Sequence, residues 1–264
     1  GIPGPGQGLF KFKNKHSGPD YRYIRQESLT LSHNSDSMCG RFSLTTEEQR
    51  LNEFFRLAGG EEPYVPRYNG APTQNLSVIT GDEPSKLRYF RWGLIPFWAK
   101  ELPRSSPVIN ARAESVGEKP MFRRLIAGQR CLVPADGFYE WVRAGKKQPY
   151  RFVMADGSPF AMAGLWDAWK SPEGSVIRSF TIITTEANRL MEPIHDRMPV
   201  ILEKEHHEAW MGEKDQELLQ KLMRPLPDNK MQVYKVSDLV NKVSADGPEL
   251  IRPLAETDLF SADY

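Results

Sequence analysis

From about residue 75 to residue 236 the chain is a succession of short apolar, β-branched and aromatic segments parted by turn signals. That texture limits it to a sheet-built fold. Residues 76–79 run into a Gly81-Asp82 turn, and 86–94 are rich in aromatics. Segments 130–134, 137–142 and 150–154 read as strands, the last two joined by the hairpin signal Ala144-Gly145-Lys146-Lys147. Segments 160–169 and 179–185 continue the pattern, two short helices are expected near 204–211 and 215–223, and a last strand over 232–236. Upstream, Thr45 and Glu48 form a capping-box pattern ahead of Leu51, Phe54, Phe55 and Leu57, and Gly59-Gly60 is expected to end that helix. Many short strands and few helices predict an α+β domain on a largely antiparallel, barrel-like β core with short flanking helices.

A chain of 264 residues suits one large domain or two small ones and can bury a core without disulfides or metals. Only two cysteines occur, Cys39 and Cys131, which is no disulfide framework and points to a reducing, cytoplasmic setting. No apolar run is long enough to span a bilayer, so no membrane partner is expected. The net charge is +1, with +2 in residues 1–38 and −1 in the remainder, so a nucleic-acid partner would need a local basic patch. Residues 1–38 begin Gly-Ile-Pro-Gly-Pro-Gly and show no apolar period; they are expected to be a disordered or non-native leader, absent from the functional chain. The folded domain is expected over 39–255, with a polar tail at 256–264.

Several residues can carry chemistry. Cys39 follows Met38 directly. If the chain starts at Met38 and that Met is removed, Cys39 offers a free α-amine beside its thiol. Such a 1,2-aminothiol condenses with an aldehyde and closes a thiazolidine ring, and with an amine pKa of about 8 much of it is nucleophilic at neutral pH. The bland alternative is a small buried cysteine, and for Cys131, inside an apolar run, that is the stronger reading. Glu140 lies between Tyr139 and Trp141, where desolvation would raise its pKa toward general acid–base use, unless it faces solvent. His195, in Pro193-Ile194-His195-Asp196-Arg197, is either a proton shuttle or a loop histidine bonded to backbone. His206-His207, in a charged helix, is read as surface. Asn110 can orient a reacting group, and Arg112, two residues on, shares its side of an extended segment, unless the two are a turn asparagine and a surface arginine. Arg41 can hold an anion beside Cys39 or is simply a solvated arginine. In 91–98 aromatics interleave with Arg and Pro, as in surfaces that stack on bases, although at least one of Trp92 and Trp98 is expected in the core. No spacing of Cys and His supports a zinc site, and no cofactor is expected.

Taken in order, Cys39-Gly40-Arg41-Phe42, Arg67-Tyr68-Asn69 with Ala71-Pro72, residues 91–96, 109–114, 134–141 and 194–199 resemble the SRAP family, the SOS response-associated peptidases or abasic-site processing proteins. The resemblance covers 38 to about 252. It implies a single mixed α+β domain that binds single-stranded DNA and single-strand–double-strand junctions. It implies that Cys39 traps the open-chain aldehyde of an abasic site as a thiazolidine crosslink, shielding the lesion, after self-removal of residues ahead of the cysteine. By the same resemblance Asn110 orients the ring-forming centre, Glu140 is the acid/base for ring opening and closing, and His195 assists proton transfer and crosslink reversal. Thr184 lines the site, Arg41, Arg67 and Arg112 contact phosphates, and Trp92 and Pro72 separate bases near the lesion. A monomer in the cytoplasm, nucleoid-associated when bound to DNA, is expected.

Two other readings fit the residues alone. One is a cysteine peptidase acting on other proteins through Cys39, His195 and Asn110. The other is a non-catalytic single-strand DNA-binding module using the Arg and Trp elements.

Overall fold

The computed structural model of the chain describes residues 40–58, 63–103, 107–142 and 147–254. In chain order the strands are β1 (Phe42–Leu44), β2 (Arg67–Gly70), β3 (Asn75–Thr80), β4 (Glu83–Trp92), β5 (Asn110–Arg112), β6 (Arg130–Ala135), β7 (Gly137–Trp141), β8 (Pro149–Met154), β9 (Phe160–Lys170), β10 (Val176–Glu186), β11 (Arg197–Pro199), β12 (Ile201–Leu202) and β13 (Met231–Lys235). Among the described residues four short helices flank them: α1 (Glu48–Phe55), α2 (Pro120–Gly128), α3 (His207–Gly212) and α4 (Gln216–Leu222).

Strand pairing closes a ring. β4 pairs with β3, β3 with β6, β6 with β9 and β9 with β10, all antiparallel; β10 returns to β4 in parallel, with Ser179 opposite Arg91 and Phe180 opposite Trp92. The expected barrel-like, largely antiparallel core is therefore present, closed by one parallel seam. A second, antiparallel sheet runs β13-β8-β7-β1-β2.

Alternation along the barrel strands explains the burial. Leu76, Val78, Phe90, Trp92, Cys131, Val133, Met162, Phe180 and Ile182 form one apolar cluster drawn from all five strands, the barrel interior, which the second sheet plugs with Phe42, Phe138 and Phe152. Residues of the other parity, among them Leu132, Ala161, Ala163 and Ile183, pack outward against the helices through Leu51, Phe55, Leu125 and Trp210. Both faces of β6 are thus buried, which is why 130–134 reads as a continuous apolar run rather than an alternating one. The interior is tight: a Cβ on Gly164 would lie 2.8 Å from the Cys131 sulfur.

Local corrections have physical causes. The Thr45–Glu48 capping box does not form. The Thr45 hydroxyl instead donates to Asp136 at 2.8 Å, and the same carboxylate takes the Thr46 N–H and the Ser43 hydroxyl. Asp136 thereby fixes the segment ahead of α1 from across the chain, while the N-cap residue of the helix, Glu47, makes no side-chain cap. The helix stops at Arg56, in the left-handed conformation (φ 57°) and bonded to the Asn52 carbonyl, ahead of Gly59-Gly60, which lie outside the described residues. The hairpin expected around 144–147 is present as the β7–β8 pair, its loop 143–146 also outside them. His207 is not a surface residue. Its ring stacks on Phe55 at 5.5 Å, 11° from parallel.

Candidate active site

β10 is the platform. Beyond its pairing with β4 and β9, its C-terminal half is flanked by β5 on one edge and β11 on the other. Asn110 lies opposite Ile182 and Arg112 opposite Thr184, while Thr184 also faces Pro199. The segment around Asn110, buried Thr184 and the loop carrying His195 are thereby brought to one end of the barrel. Arg112, exposed at the rim, has its charge facing solvent.

Arg197 ties this end together. Its guanidinium grips Glu114 with both Nη atoms, at 2.6 and 2.9 Å, and donates to the Thr184 carbonyl at 2.7 Å. Its hydrogen bonds hold the Glu114 carboxyl below its ordinary range. Its backbone N–H donates to His195 Nδ1 at 3.0 Å, which in the neutral ring leaves the proton on Nε2. Asp196 Oδ1 lies 3.1 Å from the same Nδ1 and can accept from it only once the ring is protonated. Protonation of Nδ1 would exchange the Arg197 contact for the Asp196 one, and the ring is buried. Arg197 was not singled out from sequence. Its signal was its place two residues after the histidine and the acidic residue at the end of 109–114.

Glu140 belongs to the second sheet. It lies in β7 opposite Tyr150 and is 3% exposed, so the solvent-facing alternative for it is excluded. Phe42 pairs with Phe138, and the Tyr139 N–H donates to the Arg41 carbonyl at 3.0 Å. Continued one residue, this register brings Gly40 level with Glu140. Cys39, the residue before, lies outside the described residues.

The two sheets meet through Trp92. Its ring lies 5.2 Å from that of Phe42 and stacks on Phe180 at 6.2 Å, and its Nε1–H donates to the Ile109 carbonyl at 3.0 Å. Trp92 is wholly enclosed in the barrel, because β4 alternation turns it inward with Phe90. It reaches no base from there, and the expectation that it separates bases is corrected. It is a strut between the strand after Cys39 and the segment of Asn110. The exposed aromatics of 91–98 are Phe97 and Trp98, at 55% and 58%. Pro72 sits half-buried on the turn before β3, where the next residue, Thr73, has φ 72°. Arg67 is engaged by Asp246 at 3.0 Å, and Arg41 donates to Asn69 Oδ1 and to the Val240 carbonyl. Among the described residues no three of His, Cys, Asp and Glu are grouped as a metal site would require, and no helix is long and apolar enough to cross a membrane.

The profile of the SOS response associated peptidase (SRAP) family matches residues 38–243. The chain belongs to the SRAP family. Its SRAP relatives include the abasic site processing protein YoqW of Bacillus subtilis, 45% identical over 221 residues, which are 81% of this chain and 99% of the relative. The abasic site processing protein YedK of Escherichia coli is 34% identical over 229 residues, 82% of this chain and all of the relative. Among solved structures, a protein from Bacteroides thetaiotaomicron superposes with a TM-score of 0.73 at 27% identity, covering 82% of this chain and all of that one. The SRAP fold is thus shared across the length that carries β1 to β13.

Proposed function

We propose that this SRAP chain processes abasic sites in DNA, and that it does so by trapping the lesion on Cys39 in single-stranded DNA and at single-strand–double-strand junctions. The coarse reading is supported by relatives named for abasic-site processing at 34–45% identity. The finer one is supported above all by the β1–β7 register, which brings Gly40, the neighbour of Cys39, level with the buried carboxylate Glu140.

The chemistry follows from the groups. The abasic sugar opens when a proton leaves its anomeric hydroxyl and another reaches the ring oxygen, and Glu140 is the acid/base for that exchange. The Cys39 amine adds to the aldehyde carbon and water leaves, giving an imine. The thiol then adds to the same carbon and its proton passes to nitrogen, closing the thiazolidine with one water released overall. Asn110 orients the reacting carbon, and His195 relays protons in closure and in reversal. Thr184 lines the site, Pro72 parts bases near the lesion, and Arg41, Arg67 and Arg112 meet phosphates. The reaction needs the peptide bond between Met38 and Cys39 to be absent or cut, so the working domain is 39–255, acting as a monomer.

The test is a denaturing gel. The protein beginning at Cys39 is mixed with an oligonucleotide bearing one abasic site. A shifted band, lost in Cys39→Ala and absent with the undamaged strand, is expected. Binding without a covalent band overturns the crosslinking reading, and cleavage of a generic protein substrate without a band turns it into the peptidase one.

A further inference from the structure

Arg41 is half-buried with no carboxylate partner among the described residues. Both hydrogens of its Nη1 go to neutral acceptors, Asn69 Oδ1 at 3.1 Å and the Val240 carbonyl at 2.7 Å. A cation in such a place is costly unless an anion arrives, and burial already pulls its pKa down. Satisfying one edge with neutral oxygens fixes the guanidinium in orientation while leaving its charge uncancelled.

What fixes it is a segment far away in sequence. Asn69 Nδ2 donates to three carbonyls, those of Val240, Lys242 and Ala245, at 3.2, 3.0 and 2.9 Å. Only the amide nitrogen can face three acceptors, so Oδ1 is committed to Arg41. The end of the same segment returns the grip: Asp246 accepts the backbone N–H groups of Tyr68 and Asn69. A third tie runs to the neighbour of Glu140, where Trp141 Nε1–H donates to Asn241 Oδ1 at 2.7 Å.

We propose that Asn69 is a positioning residue for DNA capture, which clasps the 237–246 segment and through it sets Arg41 to receive a phosphate beside the lesion. This rests on the DNA-binding reading above. The segment is then part of the binding machinery, although it crosses the end of the stretch that the family profile matches.

The experiment is a double-mutant cycle on binding to an undamaged single-stranded oligonucleotide, read by fluorescence anisotropy over a range of salt. Wild type, Arg41→Ala, Asn69→Ala and the double variant are compared. Each single change is expected to weaken binding about ten-fold, as loss of a charge-assisted hydrogen bond does. Each should flatten the salt dependence by about 0.7 in log–log slope. The double variant should bind no more weakly than Arg41→Ala. Unchanged affinity in Asn69→Ala, or a loss that adds to that of Arg41→Ala, overturns the proposal. If Asn69→Ala does not fold, Asp246→Ala loosens the same segment from its other end. Removing a carboxylate should by itself tighten DNA binding, so a smaller contribution of Arg41 in that background supports the clasp, and an undiminished one overturns it. A wild type that binds no single strand overturns the DNA reading as well, whereas binding without coupling overturns the clasp alone.

Discussion

His207 should make this fold sensitive to mild acid. Its ring is stacked on Phe55 and enclosed at the junction of α1 and α3, with Nε2 3.4 Å from the Leu202 carbonyl. Burial, more than the nearby Lys204, pulls its pKa from 6.5 to about 4, against the opposing pull of the Leu202 carbonyl. In the unfolded chain the ring charges as pH falls through its ordinary value, while in the folded protein it stays neutral until much lower. The unfolded state therefore binds the extra proton first, and stability that is present above the ordinary value drains away as pH falls toward the depressed one. Linkage over that interval gives a loss of about 2 kcal/mol between neutral pH and about pH 5. In a domain of this size that is roughly 4–8 °C in melting temperature. The assay is urea unfolding at both pH values for wild type and His207→Phe, which keeps a ring against Phe55 but cannot titrate. The wild-type midpoint should fall more than that of the variant, by an amount equivalent to the linkage term, with similar slopes at each pH. Parallel losses in the two proteins would refute the argument, because no other group differs between them.

Arg112→Ala, on the exposed rim of β5, should weaken single-strand binding regardless of sequence and lower the salt slope by about 0.7, read by anisotropy; sequence-dependent loss would count against a phosphate contact. Trp98→Ala should cost about ten-fold in single-strand affinity with unchanged stability, as loss of one stacking platform does. Trp92→Phe should do the reverse, lowering the urea midpoint and leaving affinity near wild type. Thr73 is β-branched yet holds φ 72°, so Thr73→Asn, which tolerates that conformation, should stabilise the fold by about 0.5–1 kcal/mol in urea unfolding.

Strands long enough to show a period were legible in sequence, and those defined by their partners were not. β9 and β10 are eleven residues each, and β3, β6, β7, β8 and β13 have five or six, with turn residues between them. β5, β11 and β12 have two or three residues and exist because the long strands β10 and β9 offer an unpaired edge, and three-residue β1 is held between β2 and β7. A period cannot be seen in three residues. α2 was missed for a related reason: its buried face is only Phe122, Leu125 and Ile126, less than two turns of signal. The capping box at Thr45 failed because a carboxylate 91 residues away competes for the same hydroxyl, and no local rule can weigh that.

Residue type marks candidates in the sequence but not their task, and residues 91–98 show why. As a string they are aromatics among Arg and Pro, which points to DNA. In the fold, Trp92 completes the barrel interior. Gly93 turns the chain at φ 121°, with a Cβ there only 2.7 Å from that of Pro107. The Ile95 N–H is held by the Ser179 hydroxyl, and only then does the chain emerge at Phe97 and Trp98. One run of eight residues passes from core to surface, so a reading that assigns it a single role must misplace part of it. The same logic explains why Asn69 and Arg197 were not singled out as candidates while Asn110 and His195 were. The latter are residue types that can touch a substrate. The former act by holding others in place, and their partners, Val240 and Glu114, are 171 and 83 residues distant. Chemistry is written in residue identity, but orientation is written in tertiary contacts, and the residues that do the orienting are where the sequence falls silent.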